Sequence, residues 1–285
     1  MNITNKLSRE ASKIISGQET VDGDGVVLNR IIGSRQLNSL DPFLLLDAFG
    51  SDKPLDYIGG FPQHPHRGFE TVTYMLAGKM RHKDSAGNEG VIEQGGVQWM
   101  TAGKGIVHSE MPEQDRGLLS GLQLWVNLPK SKKMSPPKYQ EFGAQEIPVE
   151  TANKAYTITV IAGTTKNGTQ GVINNDDVDP IYWDVRMDAQ ARFEEYIASG
   201  HNAFVYVLKG QISIGQNHSD LKKGQLAVLT QGDTVEINTS DLGSRFVVIA
   251  GIPLNESVAR GGPFVMNTAE EIQQAFNDYR TGKLA

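Results

Sequence analysis

The chain has 285 residues, 39% of them hydrophobic and 21% charged, so it can bury a substantial core. Its 27 Lys and Arg against 33 Asp and Glu give a net charge of −6, and such a surface gives no support to direct nucleic-acid binding. The absence of cysteine excludes disulfides and thiolate ligands, and no segment resembles a secretory leader or a membrane span, so we expect a cytoplasmic monomer away from any membrane.

Short apolar runs with an alternating pattern recur along the chain between glycine-rich turns. Examples are Glu70–Leu76, Gly96–Met100, Gly121–Leu128, Tyr156–Ile161, Ala203–Leu208 and Arg245–Ile252. Alternation with period two is typical of half-buried strands, so the sequence predicts an all-β sandwich or barrel. One short C-terminal helix is predicted over about 268–281, where Thr268 and Glu271 form a capping box ahead of apolar residues at helical spacing.

Two features of the sequence indicate an internal duplication. The proline-rich and charged stretch 129–148 is interpreted as a linker, which divides the chain into domains 1–140 and 141–285. Tyr74–Gly78 resembles Tyr206–Gly210, and Gly95–Gly103 resembles Gly224–Gly232 at nearly the same spacing. Coincidence between two β-rich halves is the alternative, but the paired spacing favours two similar barrels in tandem.

The first chemically suggestive motif is His64-Pro65-His66 in the first half. Two histidines at positions i and i+2 of an extended chain point to the same side, and the intervening proline disfavours a helix. Imidazoles held on one face are a natural ligand pair for iron, nickel, copper, manganese or zinc. The alternative is that both histidines are loop residues held by ordinary hydrogen bonds.

The second motif is His108-Ser109-Glu110, preceded by turn glycines and closed by Pro112. His108 and Glu110 also share one face of an extended segment. Two such pairs on facing strands can converge into a site of three histidines and one carboxylate with open coordination positions. The glycine-rich turn around Lys104 lacks the spacing of a phosphate-binding loop, and His82 is interpreted as a solvated residue near a hairpin tip.

The chain resembles the pirin family of the cupin superfamily. The segments that carry this resemblance are LDPFLLLDAFG (40–50), HPHRGFETVTYMLAG (64–78), GGVQWMTAGKGIVHSEMP (95–112), GLQLWVNLP (121–129) and GGPFVMNTAEEI (261–272). The resemblance implies a tandem cupin, or bicupin, of two β-barrels (jelly rolls) with the C-terminal segment packed toward the first. It also implies a metal in the N-terminal barrel alone.

The metal implied by the resemblance is one mononuclear divalent ion, with Fe(II) favoured over Ni, Co, Mn, Cu and Zn. Its implied ligands are His64, His66, His108 and Glu110, and Glu70 is not the main ligand. In the second half, the positions that match these ligands hold no comparable set, so the second barrel is expected to lack a metal.

The resemblance leaves three hypotheses about function open. The first is a metal-dependent dioxygenase like quercetin 2,3-dioxygenase, with a small aromatic substrate, dioxygen, and Glu110 as catalytic base. Its apolar slot would come from Phe43, Phe49, Trp99, Met100 and Trp125. The second is a redox-sensing regulatory protein that binds a transcription factor or a metabolic enzyme. The third is a barrel in which the metal only stabilises the fold, and the open four-ligand set argues against it.

Overall fold

The computed structural model describes residues 7–152 and 155–285 and is built almost entirely of strands. The first thirteen strands are β1 (Ser8–Arg9), β2 (Ala11–Ser16), β3 (Gln18–Asp22), β4 (Val26–Ile32), β5 (Phe43–Ser51), β6 (Phe61–His66), β7 (Phe69–Ala77), β8 (Met80–Asp84), β9 (Glu89–Ile92), β10 (Val97–Thr101), β11 (Ile106–Pro112), β12 (Leu119–Asn127) and β13 (Lys138–Phe142). The remaining strands are β14 (Val149–Ala152), β15 (Tyr156–Ala162), β16 (Ile181–Met187), β17 (Arg192–Tyr196), β18 (Asn202–Lys209), β19 (Gln211–Ile214), β20 (Ser219–Lys222), β21 (Gln225–Leu229), β22 (Thr234–Asn238), β23 (Ser244–Gly251), β24 (Ala259–Gly261) and β25 (Phe264–Met266). Two 3₁₀ turns lie at Pro54–Asp56 and Lys130–Lys132, and helix α1 spans Ala269–Arg280.

The first compact unit contains residues Gln18–Ala144 and Leu254–Ala285. Its larger sheet has the order β3-β4-β5-β12-β7-β10-β13, and its smaller sheet has the order β6-β11-β8-β9. Strands such as β11 alternate buried and less buried residues, as expected when one face of each sheet meets the interior. The two sheets therefore form the barrel that carries both histidine motifs.

The second unit contains Gln145–Pro253 and the described residues up to Gly17. Its larger sheet has the order β14-β15-β16-β23-β18-β21-β2, and its smaller one joins β17, β22, β19 and β20, with β1 on β22. These orders repeat those of the first unit strand for strand. The prediction of an all-β fold of two similar barrels is confirmed.

The unit boundaries differ from the division into residues 1–140 and 141–285. Strand β2 pairs with β21 and so belongs with the second half, while the segment from Leu254 onward belongs with the first. The stretch predicted as a linker contains β13, which pairs with β10 along its whole length. The prolines that suggested a linker stand outside this strand, at its two sides.

Helix α1 begins where the sequence predicts it. The Thr268 side chain accepts the Glu271 amide at 3.2 Å, and the Glu271 carboxylate accepts the Thr268 amide at 3.0 Å, so the capping box is complete. Ile272 and Ala275 are buried against the residues of β24 and β25. In the described part of the chain, no helix has both the length and the apolar character needed to cross a membrane.

Candidate metal centre

The two histidine motifs lie on neighbouring antiparallel strands of the first barrel's smaller sheet. In the register of β6 and β11, His64 stands opposite His108, and His66 stands opposite Ile106. Because alternate residues of a strand share a face, all three imidazoles project from the same side of this pair of strands. The register shifts between His108 and Glu110, so Glu110 pairs with Phe61. The three histidines thus lie on one face, as the alternation of side chains along the strands predicts.

The three imidazoles meet closely. Ring centroids are 4.6 Å apart for His64 and His66, 4.4 Å for His64 and His108, and 5.0 Å for His66 and His108. One ring nitrogen from each lies within 4.8 Å of those of the other two. Their spacing is that of ligands able to surround one ion.

The hydrogen bonds of His64 and His66 leave the metal-binding nitrogen of each without a proton. The Nδ1 of His64 lies 2.8 Å from the Pro62 carbonyl, and the Nδ1 of His66 lies 3.4 Å from the Pro263 carbonyl. A carbonyl oxygen only accepts, so in the neutral rings both Nδ1 atoms donate and both Nε2 atoms present lone pairs. These two Nε2 atoms are 3.0 Å apart, close enough for both to bind one ion.

The surroundings of His108 also fit a metal site. It is 1% exposed, and neither of its ring nitrogens has a hydrogen-bond partner. Burial, and then the neighbouring His66 and His64, hold the pKa of His108 well below its usual range, and burial does the same for the pKa of His66. A neutral imidazole with a free ring nitrogen is the form in which histidine binds divalent metals.

Glu110 lies outside the group of three imidazoles. Its carboxylate is buried, with Oε1 2.8 Å from the Thr73 hydroxyl and Oε2 3.3 Å from the Gln123 amide nitrogen. The structure therefore brings three of the four predicted ligands together and holds Glu110 through two polar contacts on β7 and β12. Glu70 accepts a hydrogen bond from the Thr101 hydroxyl at 2.6 Å and does not line the cavity.

The segment that follows His66 is fixed by residues from the C-terminal part of the chain. Arg67 is buried and pairs with Asp278 of α1 at 2.7 Å, and its Nε donates to the Lys104 carbonyl. The Arg67 carbonyl accepts the Val265 amide. At Gly68 (φ +87°), a side chain would collide with the Val265 carbonyl, so glycine is required there. These contacts hold the strand end that carries the first histidine pair.

A cavity of about 550 Å³ opens beside the imidazoles, within the size range of small-molecule sites. His64, His66 and Glu110 line it, whereas His108 lies behind them. Its apolar walls are formed by Leu28, Leu45, Phe49, Phe61, Met80 and Trp125. The polar side chains on its walls are Asp22, Arg30, Asp47, Gln63, Thr73, Gln123 and Arg260.

Several expectations about this region change with the structure. Of the aromatic and apolar residues expected to form the slot, Phe49 and Trp125 line the cavity, whereas Phe43, Trp99 and Met100 are buried in the core. His82, expected in solvent, is buried with its Nε2 2.8 Å from the Glu141 carboxylate. The reason is that β8 lies next to β11 inside the smaller sheet, so its alternate residues face the interior.

The charged residues of the cavity wall were missed by the sequence reasoning. Arg30 and Asp47 stand opposite each other on β4 and β5, so strand pairing is the signal that could have found them. Arg260 comes from β24, more than two hundred residues away, and no local pattern marks it.

Comparison with known proteins assigns the family. The family model "Pirin" matches residues 25–126, and "Pirin C-terminal cupin domain" matches residues 182–285. A pirin-like protein of Caulobacter vibrioides is 50% identical over 275 residues, which cover 96% of this chain and 99% of that protein. Pirin of Mus musculus is 43% identical, covering 97% of this chain and 94% of its own length. The crystal structure of a quercetin 2,3-dioxygenase from Acinetobacter baumannii matches with a TM-score of 0.89 and 35% identity, covering 98% of this chain and 99% of that one.

Proposed function

The chain belongs to the pirin family, and from that premise we propose that it is a metal-dependent dioxygenase of the quercetin 2,3-dioxygenase type, acting on a flavonol or a similar aromatic enol. The observation that carries the proposal is that the histidine cluster opens into a cavity of about 550 Å³ with aromatic residues in its walls. The similarity to a quercetin 2,3-dioxygenase along almost the whole chain supports it further.

The metal ligands in this proposal are His64, His66, His108 and Glu110. The facing Nε2 atoms of the first histidine pair and the unpartnered nitrogens of His108 support the assignment. We favour Fe(II), with Ni, Co, Mn, Cu or Zn as alternatives, and such an ion would supply Lewis acidity and open coordination positions.

Glu110 is proposed to hold the proton that the substrate loses from its enol hydroxyl. Its Oε1 lies 2.8 Å from the Thr73 hydroxyl, whose single proton also has Gln123 Oε1 within 2.6 Å, and its Oε2 lies 3.3 Å from the Gln123 amide nitrogen. Neither oxygen is tied to a charged partner in these contacts, so the carboxylate is available to take a proton. Phe49, Phe61 and Trp125 give the cavity an aromatic lining that suits an aromatic substrate.

The test is oxygen consumption and carbon monoxide release with quercetin, on protein of measured metal content reconstituted with ferrous iron. We expect turnover that a chelator abolishes and that a metal-loaded Glu110→Ala variant lacks. His218→Asn, a change at an exposed histidine of the other barrel, is the matched control and should retain full turnover. Absence of turnover in fully loaded wild-type protein would overturn the enzyme proposal.

A redox-sensing regulatory protein, which binds a transcription factor or a metabolic enzyme, is the second candidate. One observation favours it: the second barrel repeats the strand order of the first, yet Phe193 and Ile237, on the strands equivalent to β6 and β11, are buried in an apolar core. A barrel filled in this way has no evident catalytic task, which suits an interaction domain. This candidate predicts partner affinity that differs between ferrous and ferric protein.

A further inference from the structure

The lining of the cavity includes two arginines with different surroundings. Arg30 is bound by two carboxylates. Its Nε lies 2.9 Å from Asp47 Oδ1, and its Nη2 lies 2.7 Å from Asp47 Oδ2 and 2.8 Å from Asp22 Oδ2. The acidic side chains of this wall are therefore already engaged, and Arg30 is neutralised within the protein.

Arg260 has no such partner. Within residues 7–152 and 155–285, no carboxylate lies at ion-pair distance from it, and its hydrogen bond to the protein is a long one, 3.4 Å from Nη1 to the Leu44 carbonyl. A guanidinium has five N–H donors, so most of its donors remain for another ligand. The side chain is exposed and lines the cavity, so a ligand entering from solvent can reach it.

Trp125 links Arg260 to the histidines. The guanidinium carbon of Arg260 lies 4.8 Å from the centroid of the Trp125 ring, and the same ring meets His66 edge to face at 5.4 Å between centroids. This position over the ring holds the guanidinium without using its N–H donors. A ligand that spans the width of the Trp125 ring can therefore reach the imidazoles with one end and Arg260 with the other.

We propose that Arg260 binds a carboxylate of the substrate, so that the substrate class is an aromatic enol or phenol with a carboxylate at the end away from its metal-binding oxygen. This inference rests on the proposed function, since it places the oxygen of the ligand at the histidine centre. A planar guanidinium matches a carboxylate with two parallel hydrogen bonds. Asp22, Asp47 and Glu110 line the same cavity and repel a dianion, so a carboxylate monoanion is favoured over a phosphate.

The local electrostatics agree with this assignment. Desolvation in the cavity wall, followed by the charge of Arg30, lowers the pKa of Arg260, whereas Asp47 and Asp22 act to raise it, and a guanidinium keeps its charge at any ordinary pH. Arg260 therefore stays a cation with which an anionic ligand can pair.

The test is calorimetric binding of two matched probes to full-length protein loaded with Zn(II), which requires no turnover. The probes are 3,4-dihydroxybenzoate and its neutral analogue 3,4-dihydroxybenzamide. Wild-type protein should bind the benzoate about tenfold or more tightly than the benzamide, as a charge-assisted pair predicts. In Arg260→Gln the ratio of the two affinities should fall to about one, whatever the change in benzamide affinity itself, and Arg260→Lys should restore part of the preference. Arg116→Gln, at an exposed loop arginine, should behave as wild type.

Three results would overturn the proposal. A benzoate preference that survives in Arg260→Gln would mean that the carboxylate binds elsewhere, such as the metal. Equal affinities for both probes in wild-type protein would mean that no carboxylate subsite exists. Failure of the benzamide itself to bind would overturn the ligand-binding metal cavity as well, whereas loss of quercetin turnover alone leaves these binding results standing.

Discussion

Lys133 allows a test of the packing beside the candidate metal centre, because its ammonium group is buried and bound to three neutral oxygens. Nζ donates to the Gly68 carbonyl at 2.7 Å, to Asn127 Oδ1 at 2.7 Å and to the Val265 carbonyl at 2.9 Å. These bonds do not fully replace water, and burial lowers the pKa of Lys133 from 10.5 to about 8. Unfolding returns the side chain to water and restores the ordinary pKa.

The direction in which the unfolding free energy changes with pH depends on how many protons the folded and unfolded states bind. Between pH 8 and pH 10.5, the unfolded lysine keeps its proton and the native lysine has lost it, so the free energy of unfolding rises with pH. The unfolding free energy rises by about 1.4 kcal/mol for each pH unit in this range, which gives a total increase of about 3 kcal/mol. Below pH 8 both states are protonated, and the native state carries the full cost of the buried charge.

The assay is urea unfolding followed by tryptophan fluorescence, from about pH 7 to about pH 10, with a chelator present. From one end of this range to the other, wild-type protein should gain about 2–3 kcal/mol of unfolding free energy relative to Lys133→Met, which lacks the titrating group. Lys132→Met, a change at the exposed neighbour, should follow wild type throughout. If wild type and Lys133→Met instead change in parallel with pH, Lys133 titrates as it does in water and the burial argument is wrong.

Three further predictions concern single contacts. Asp278→Ala leaves the buried Arg67 charge unpaired and should lower the unfolding free energy by about 3 kcal/mol, measured by urea titration; an unchanged midpoint would show that the ion pair is dispensable. Thr268→Ala removes half of the capping box and should cost about 1 kcal/mol, whereas Thr268→Ser should cost little. His108→Leu should abolish tight metal binding, measured by calorimetry, yet leave the metal-free protein at least as stable, because it removes a buried polar ring whose lack of partners costs about 1–3 kcal/mol. A marked loss of metal-free stability in that variant would contradict this reading of His108.

The local patterns of the sequence predict those parts of the molecule that depend on neighbours along the chain. Alternation gives the strands, the Thr268–Glu271 spacing gives the helix start, and the i, i+2 spacing brings His64 and His66 to one face. His108 joins this pair because β11 is hydrogen-bonded to β6 in the same sheet, whereas the sequence predicted facing strands. The assignment of Glu110 as a fourth ligand stays a proposal, since its carboxylate is held by Thr73 and Gln123 at the edge of the group.

What the sequence could not indicate depends on contacts between distant segments. His82 looks like a hairpin residue until β8 is placed between β9 and β11, which turns its side chain inward. The stretch that contains β13 has the composition of a linker, yet backbone pairing with β10 makes it a strand. Arg260 lines the cavity although β24 follows all strands of the second barrel in the sequence. A single arginine outside any recognisable motif does not indicate that it lies in a binding site.

Residues 254–285 belong to the first barrel, so that barrel can be completed only after they have been synthesised. The ribosome synthesises both histidine motifs before it has made half of the chain. Pro263, Val265 and Asp278, which hold the segment around His66, are synthesised much later. Domains usually fold in the order of their synthesis. Here the second barrel's strands emerge in between, so the nascent metal centre must wait for a segment made after another domain. A ribosome stalled before residue 260 would thus carry an unfinished metal centre although most of the second barrel has already been synthesised.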